Sequence, residues 1–286
     1  MVTRIDAALE GALAHAGADA PPALARALRY AVFPGGARVR PRLCLAVADA
    51  GPNDAPALVE AAACGLELLH CASLVHDDLP CFDDAAERRG KPSVHRAFGE
   101  PLAVLVGDAL IVLAFETLAR AGAAAPARLA GLTGILATAA GTPHGLVAGQ
   151  AWESEASASL EAYHRAKTAS MFVAATTAGA LAAGRDPAPW RGVGERLGAA
   201  YQVADDLLDA HATPESAGKP TRRDAALARP SAVDALGTDG AVARLRALVA
   251  EAAAAVPPCE GAEALRALVV RMAERLVPAS LRQSAA

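Results

Sequence analysis

Apolar residues recur at helical spacing along almost the whole chain, with short interruptions rich in proline, glycine and polar residues. Interruptions such as Pro34-Gly35-Gly36 and Pro257-Pro258 disrupt a helix locally. No stretch has the composition of an interdomain linker, so we expect one domain spanning residues 1–286. The pattern predicts helices at 3–16, 21–33, 40–50, 55–78, 101–122, 126–141, 143–153, 158–184, 189–211, 238–255 and 261–280.

Composition favours the same all-α fold class. Hydrophobic residues make up 53% of the 286 residues but aromatic residues only 3%, so alanine, leucine and valine carry the apolar content. Alanine and leucine are the best helix formers, whereas an all-β protein needs more threonine, tyrosine, phenylalanine and isoleucine. The net charge of -4 gives no basic excess for binding nucleic acid. The five cysteines form no CxxC pair, which argues against a disulfide framework or a zinc site.

No segment is expected to enter a membrane. The longest apolar tract, 102–115, is shorter than the roughly 20 residues that span a bilayer, and Asp108 lies in its middle. Asp6 and Glu10 interrupt any apolar signal segment at the N-terminus. We therefore predict a cytoplasmic protein without a transmembrane segment.

Two acidic clusters interrupt the helical pattern, and the first contains Asp77, Asp78, Asp83 and Asp84 within eight residues. Carboxylates this close together repel one another unless cations lie nearby. Oxygen ligands without histidine or cysteine suit magnesium, which keeps water ligands and accepts substrate phosphates as co-ligands. The alternative interpretation is a solvated acidic loop.

The second cluster follows a largely apolar helix. Its spacing places Asp205 and Asp209, and also Asp206 and Asp209, on one helical face. Surface acids on an amphipathic helix are the alternative here. A helical bundle with carboxylates at one end of its core is, however, a common way to build a metal or cofactor site.

Basic residues accompany both clusters. Arginine binds phosphate oxygens in a bidentate manner, and lysine acts as a point charge. Each basic residue by itself is most simply a solvated surface charge, but together with the acidic clusters they indicate a magnesium–diphosphate site. The residues concerned are Arg38, Arg40, Arg88, Arg89, Lys91, Lys167, Lys219, Arg222 and Arg223.

The sequence resembles the trans-prenyl diphosphate synthases. HDDLPCFDDAAERRGKPSVH (76–95) is similar to their first aspartate-rich motif in its longer bacterial form. YQVADDLLD (201–209), with Gly218-Lys219 and Asp224 after it, is similar to the second. FPGGARVRP (33–41), GDAL (107–110), GQAWE (149–153) and AKT (166–168) match further family motifs in the right order. The likeness is greatest to short bacterial geranylgeranyl diphosphate synthases of carotenoid and photosynthetic-pigment pathways.

The resemblance implies an isoprenoid-synthase helical bundle around a deep central cavity, with the two aspartate clusters facing each other across its mouth. It implies a prenyltransferase that condenses isopentenyl diphosphate with dimethylallyl, geranyl or farnesyl diphosphate. The allylic carbon–oxygen bond ionises, the isopentenyl double bond attacks the cation, and a proton is lost. It also implies three magnesium ions when substrate is bound, and a homodimer.

The resemblance also assigns roles to individual residues. It implies metal binding by Asp77, Asp78, Asp83, Asp205 and Asp209. It implies catalytic roles for Lys167, Thr168, Gln202, Asp205 and Lys219. It implies substrate contacts from Gly36, Arg38, Arg40, His70, Arg88, Arg89, Gln150, Asp206 and Arg229.

Three positions depart from the family pattern. Ala37 stands where the GGKRxRP motif has a lysine, so a cation that would contact isopentenyl diphosphate is missing. Arg38, Arg40 and Arg42 are the nearby basic residues that can compensate. Glu153 replaces an aspartate and Arg229 replaces a lysine, and both keep their charge.

Product length depends on the residues before Asp77. If 55–78 is a helix, Ala72 lies about 7.5 Å deeper than Asp77 at 1.5 Å per residue. An aromatic side chain there often stops growth at fifteen carbons in the family, and Ala72 and Ser73 are small. Leu69 and Phe115 are candidates for a lower stop, so we expect geranylgeranyl diphosphate.

Four alternatives remain open at this stage. The chain can be a farnesyl diphosphate synthase, a terpene cyclase on the same fold, a non-catalytic subunit that modulates a related synthase, or a structural helical protein. The DDLLD sequence (205–209) favours condensation over cyclisation. A modulating subunit tends to lose its aspartate motifs, whereas this chain keeps both. Buried carboxylates would be needlessly costly in a structural protein.

Overall fold

The computed structural model describes residues 2–155, 165–211 and 231–274, and it confirms the all-α class. The helices of the described residues are α1 (Val2–Gly17), α2 (Pro22–Val32), α3 (Val39–Asp49), α4 (Pro56–Asp77), α5 (Val94–Phe98), α6 (Glu100–Gly122), α7 (Pro126–Ala140), α8 (Leu146–Trp152), α9 (Ser170–Ala182), α10 (Arg191–His211), α11 (Ala232–Ala254) and α12 (Ala262–Glu274). A π-helical turn, Arg165–Ala169, precedes α9, and a short 3-10 turn, Ala188–Trp190, precedes α10.

A short β-hairpin interrupts the helices where the sequence predicted none. Strand β1 (Glu87–Arg88) pairs antiparallel with β2 (Lys91–Pro92), so Arg88 lies opposite Lys91. The two turn residues, Arg89 and Gly90, have φ angles of 55° and 72°. Positive φ at both central positions is what a type I′ turn requires. Each strand has only two residues, too few for an alternating apolar pattern to reveal.

Contacts divide the chain into two compact units. The first comprises 1–137 and 177–187, and the second comprises 138–176 and 188–286. The single domain expected from the sequence stays a prediction.

The first unit is built around α4. This helix buries most of its length and packs along α6. A Cβ atom on Gly65 would lie 3.3 Å from the carbonyl oxygen of Ala114, so the glycine allows the two helices to approach closely. The aspartate motif at the end of α4 therefore projects from a rigid core element.

The second unit is built around α10 and α11. Leu207 on α10 packs in one buried cluster with Leu245 and Leu248 on α11. The Oγ atom of Ser231 caps the start of α11 by accepting a hydrogen bond from the backbone N–H of Asp234. Gly237, with φ of 68°, kinks this helix. The sequence-based start at residue 238 coincides with the start of the helix after this kink, whereas the helical turn before it, from Ala232, was not predicted.

Helices α4 and α6 are both long and apolar enough to cross a membrane by length and composition. In α4, 78% of the most apolar window is buried inside the protein, as in a core helix. In α6 the buried share is 39%, and Val104, Leu105 and Val112 are exposed. The apolar tract 102–115 lies inside α6, a helix of 23 residues, and the absence of a transmembrane segment stays a prediction.

Candidate active site

The first acidic loop begins at the end of α4 and folds back on itself. The backbone N–H of Asp83 donates to the carbonyl of Asp77 at 2.9 Å, and that of Ala85 donates to the carbonyl of Asp78 at 3.2 Å. These bonds bring the backbones of Asp77 and Asp83 together, although five residues separate them in sequence. Both residues are partly exposed. The fold of the loop thus places two partly exposed aspartates at neighbouring backbone positions.

Asp78 is used differently from its neighbours. Its side chain is 3% exposed and receives hydrogen bonds from Nε of Arg88 at 3.0 and 3.2 Å, and a further one from Nη2. Burial raises the pKa of Asp78, and Arg88 opposes that rise. The resemblance implied a metal ligand here, and the structure instead pairs this carboxylate with Arg88. The pair fixes Arg88 beside the acidic loop.

Asp84 is braced by three residues to which sequence reasoning gave no role, namely Ser93, His95 and Arg96. Asp84 has a φ of 43° and accepts a hydrogen bond from Nη2 of Arg96 at 2.9 Å. Nε2 of His95 lies 3.6 Å from the same carboxylate, while its Nδ1 lies 3.1 Å from Oγ of Ser93. The conformation of Asp84 turns its side chain away from the other aspartates and toward α5. The four aspartates within residues 77–84 do not indicate by themselves which of them face solvent and which contact α5.

A cationic group of residues surrounds His70. A Cβ atom on Gly36 would lie 3.2 Å from the guanidinium of Arg89, so this glycine allows the arginine to lie against the turn. Burial lowers the pKa of His70 well below its usual value, and Arg40, Arg89 and Arg88 lower it further. The imidazole is therefore neutral at pH 7, while arginine charges converge around it. This arrangement suits a polyanion such as a diphosphate.

Lys91 ties the β-hairpin to the glycine turn. Its Nζ donates to the carbonyls of Phe33, at 2.7 Å, and Tyr30, and it lies 3.8 Å from the centre of the Tyr30 ring. The hydroxyl of Tyr30 donates to the carbonyl of Pro92 at 2.7 Å. Burial lowers the pKa of Lys91, and Arg89 lowers it further. The hairpin that carries Arg89 is thereby fixed against the turn that carries Gly36.

The structure corrects the expectation for Arg38. This residue was expected to contact substrate, but its side chain is 1% exposed. Nη1 donates to the buried carboxylate of Glu67 at 2.7 Å, and Nη2 donates to the carbonyl of Val32 at 2.9 Å. The φ of 50° at Arg38 turns the side chain inward. Glu67 attracts it there, because either charge alone would be costly to bury.

A hydrogen-bonded relay organises the second motif. Oγ1 of Thr168, in the π-helical turn, donates to Oε1 of Gln202 at 2.9 Å. Nε2 of Gln202 donates to Oδ1 of Asp206 at 3.0 Å, and the backbone N–H of Ala232 donates to Oδ2 at 2.7 Å. Asp206 is buried, and burial raises its pKa, while Ala232 and Gln202 oppose that rise. The predicted catalytic pair Thr168 and Gln202 is thus brought together and oriented.

Other predicted residues of this unit can also be located. Asp205 and Asp209 are both partly exposed on α10, one helical turn apart. Nε2 of Gln150 lies 3.4 Å from Oε2 of Glu153, so the two polar positions of GQAWE contact each other. Lys167 belongs to the π-helical turn, but its side chain lies outside the described part. Lys219, Asp224 and Arg229 also lie outside the described residues.

The residues expected to limit product length lie on α4 and α6. Leu69 and Ala72 are 2% and 1% exposed, and Ser73 donates its hydroxyl hydrogen to the carbonyl of His70 at 2.9 Å. Phe115 is partly exposed on α6. Ala72 therefore lies in packed surroundings where a larger side chain would change the available volume.

The donor chemistry fits magnesium. In the part of the chain that the structure describes, no group of three or more histidine, cysteine, aspartate or glutamate residues is preassembled for a metal. Magnesium needs no such cage, because it keeps several waters and binds through one or two carboxylates plus substrate phosphates. Asp77 and Asp83, and separately Asp205 and Asp209, each supply such a partly exposed pair.

Comparisons with known proteins show the family of the chain. Residues 21–256 match the family model for polyprenyl synthetase. The chain is 55% identical to a geranylgeranyl diphosphate synthase of Cereibacter sphaeroides and 50% identical to one of Rhodobacter capsulatus, each time over 97% of both chains. A geranyltransferase of Helicobacter pylori, solved with magnesium and isoprenyl diphosphate, is 30% identical over 88% of both chains, with a TM-score of 0.77. The chain belongs to the polyprenyl synthetase family.

Proposed function

We propose that this protein is a magnesium-dependent trans-prenyltransferase that elongates allylic diphosphates with isopentenyl diphosphate to geranylgeranyl diphosphate. The observation that carries the proposal is the convergence of Arg40, Arg89 and Arg88 on the half-buried His70, in the same unit as the acidic loop of Asp77 and Asp83. The two relatives at 55% and 50% identity are both named for this product. Because the family match runs through residues of both compact units, we propose that 1–286 works as one catalytic domain.

In this proposal the residues of the first unit bind diphosphate. Asp77 and Asp83 hold magnesium, which neutralises charge on the diphosphate when it is bound. Arg88, fixed by Asp78, binds the allylic diphosphate as the carbon–oxygen bond breaks. Arg40, Arg89 and His70 bind isopentenyl diphosphate. Neutral His70 can donate a hydrogen bond without repelling the arginines around it.

The residues of the second unit serve the same reaction. Asp205 and Asp209 supply the second pair of magnesium ligands, for three ions in all when substrate is bound. Thr168 donates its hydroxyl hydrogen to Gln202, so its oxygen lone pairs are available to stabilise the allylic cation. Lys167, Lys219 and Arg229 contribute positive charge for the diphosphates. The departing diphosphate accepts the proton that is lost, so no side-chain base is required.

Product length follows from the small residues behind Asp77. In this proposal Ala72 and Ser73 are too small to stop the growing chain at fifteen carbons, and Leu69 and Phe115 form the lower stop. Substituting Ala72 with phenylalanine should move the main product from twenty to fifteen carbons. Ala72→Ser, at nearly unchanged volume, is the matched control and should keep the twenty-carbon product.

We also propose a cytoplasmic homodimer that supplies carotenoid or photosynthetic-pigment synthesis. Val104, Leu105 and Val112 form one exposed apolar face of α6, and contiguous exposed apolar surface marks interaction sites. Val112→Asp should convert a dimer to a monomer in size-exclusion chromatography with light scattering. If this variant still forms a dimer, the exposed face of α6 is not part of the dimer interface.

The function is tested with purified protein, magnesium, labelled isopentenyl diphosphate and each allylic starter in turn. Products are sized by mass spectrometry. A twenty-carbon diphosphate is the expected result. A fifteen-carbon stop would keep the prenyltransferase and overturn the product length, whereas no product from a folded protein would favour a modulating subunit.

A further inference from the structure

The glycine turn of this chain lacks the lysine that its family motif carries. Ala37 is exposed, and its methyl group cannot contact a diphosphate by charge. The sequence offers Arg38, Arg40 and Arg42 as compensating cations. The structure separates these three arginines.

Two of the three are already engaged elsewhere. Arg38 is buried against Glu67 and turned away from the turn. Arg40 lies close enough to His70 to lower its pKa, so it belongs to the group of arginines around that imidazole. Neither side chain replaces a cation at position 37.

Arg42 lies at the required place. Its Nη1 lies 3.4 Å from the carbonyl oxygen of Ala37, to which it donates a hydrogen bond. The residue is partly buried in the first turn and a half of α3, and its Nε is buried without a hydrogen-bond partner within the described residues. The guanidinium therefore lies against the backbone of the residue that lost its charge.

A second guanidinium, that of Arg89, lies against the neighbouring residue of the turn. Arg89 lies against Gly36, and Arg42 contacts the carbonyl of Ala37, so two arginines flank consecutive residues of one exposed turn. A guanidinium has five N–H donors, and Arg42 uses one of them on this carbonyl. Its remaining donors and its charge are not matched by any carboxylate that contacts it among the described residues.

We propose that Arg42 supplies the cation that the motif lysine provides elsewhere in the family, and that it binds the diphosphate of isopentenyl diphosphate beside Ala37. This inference rests on the proposed function and assigns one more substrate contact within it. A competing, purely structural role would have Arg42 only brace the turn by holding the Ala37 carbonyl.

The test is steady-state kinetics of Arg42→Ala, Ala37→Lys and the double variant, with thermal melting of each. Loss of one charge-assisted contact should raise the KM for isopentenyl diphosphate about ten- to a hundredfold, with the KM for farnesyl diphosphate changed less than about twofold. Ala37→Lys should restore the KM in the double variant to within about threefold of the wild type. Arg26→Ala, which removes an exposed charge from α2, is the matched control.

The outcomes separate the two roles. An unchanged KM for isopentenyl diphosphate in folded Arg42→Ala would overturn the inference while leaving the proposed function intact. A lowered melting temperature that Ala37→Lys does not rescue, with both KM values raised together, would also overturn it in favour of the brace. Absence of product from the wild type would overturn the proposed function and this inference with it.

Discussion

Each of the two aspartate motifs divides its carboxylates in the same way. One aspartate of each motif is buried and fully hydrogen-bonded, Asp78 in the first and Asp206 in the second, and both have raised pKa values because of burial. The remaining aspartates proposed as metal ligands are partly exposed. The motifs differ in the partner chosen: Asp78 pairs with the charged Arg88, whereas Asp206 accepts bonds from neutral donors.

This difference has energetic and functional consequences. Removing one member of a buried ion pair leaves the other charge uncompensated, which costs more than leaving a neutral donor unpaired. The first buried aspartate thus fixes a diphosphate-binding cation. The second orients the amide of Gln202 and, through Ala232, attaches the start of α11 to α10.

The largest effect is expected from Asp78→Ala. Because it leaves the three-quarters-buried Arg88 without its partner, we expect a loss of about 3 kcal/mol in the free energy of unfolding. Urea denaturation measures it. Asp84→Ala removes a carboxylate that is 55% exposed from the same loop and should cost less than about 1 kcal/mol. Equal losses in the two variants would mean that Asp78 contributes no more to the free energy of unfolding than the exposed Asp84.

The second largest effect is expected from Asp206→Ala, which should lower the free energy of unfolding by about 2 kcal/mol. It leaves the N–H of Ala232 and the amide of Gln202 without their acceptor, and both are neutral groups. Glu195→Ala, which breaks an exposed pair with Arg191 on the same helix, is the control. A loss larger than that of Asp78→Ala would mean that the neutral hydrogen bonds of Asp206 contribute more to stability than the ion pair of Asp78.

Burial of His70 and the arginines around it predict that the stability of the protein depends on pH. The pKa of His70 is lowered in the folded state, so below the unfolded value of about 6.5 the unfolded chain binds the extra proton. His70 therefore does not reduce the free energy of unfolding above pH 6.5, and it lowers that free energy by about 1.4 kcal/mol for each pH unit below 6.5. In His70→Gln this slope should be shallower when melting is followed between pH 7.5 and 5.5. Identical slopes would mean that His70 protonates in the folded protein.

The smallest effect is expected at the outer end of the second relay. Thr168→Val removes the donor to Gln202 and should cost about 1 kcal/mol of stability. It should lower kcat by a larger factor than it changes KM, because the hydroxyl dipole acts on the developing cation. Thr168→Ser keeps the hydroxyl and should behave like the wild type. A serine variant as impaired as the valine variant would assign the effect to packing.

Local sequence predicted the elements but not their long-range partners. The helix at 56–77 was expected at 55–78, because its apolar spacing is uninterrupted. Arg38 was misplaced because its partner Glu67 lies 29 residues away, and Asp206 binds a backbone N–H 26 residues away. No residue pattern indicates which of two adjacent aspartates turns inward. The hairpin at 87–92 was also missed, because its two-residue strands carry no periodicity.

The division of labour within each motif is tested most directly by the magnesium concentration that gives half-maximal velocity. It is measured for Asp77→Asn, Asp205→Asn, Asp78→Asn and Asp206→Asn, alongside their melting temperatures. The first two variants should need at least about tenfold more magnesium at unchanged stability, because a metal ligand has been lost. Asp78→Asn and Asp206→Asn should lose stability and keep the magnesium requirement within about twofold. A raised magnesium requirement in Asp78→Asn and Asp206→Asn at unchanged stability would contradict this division of labour.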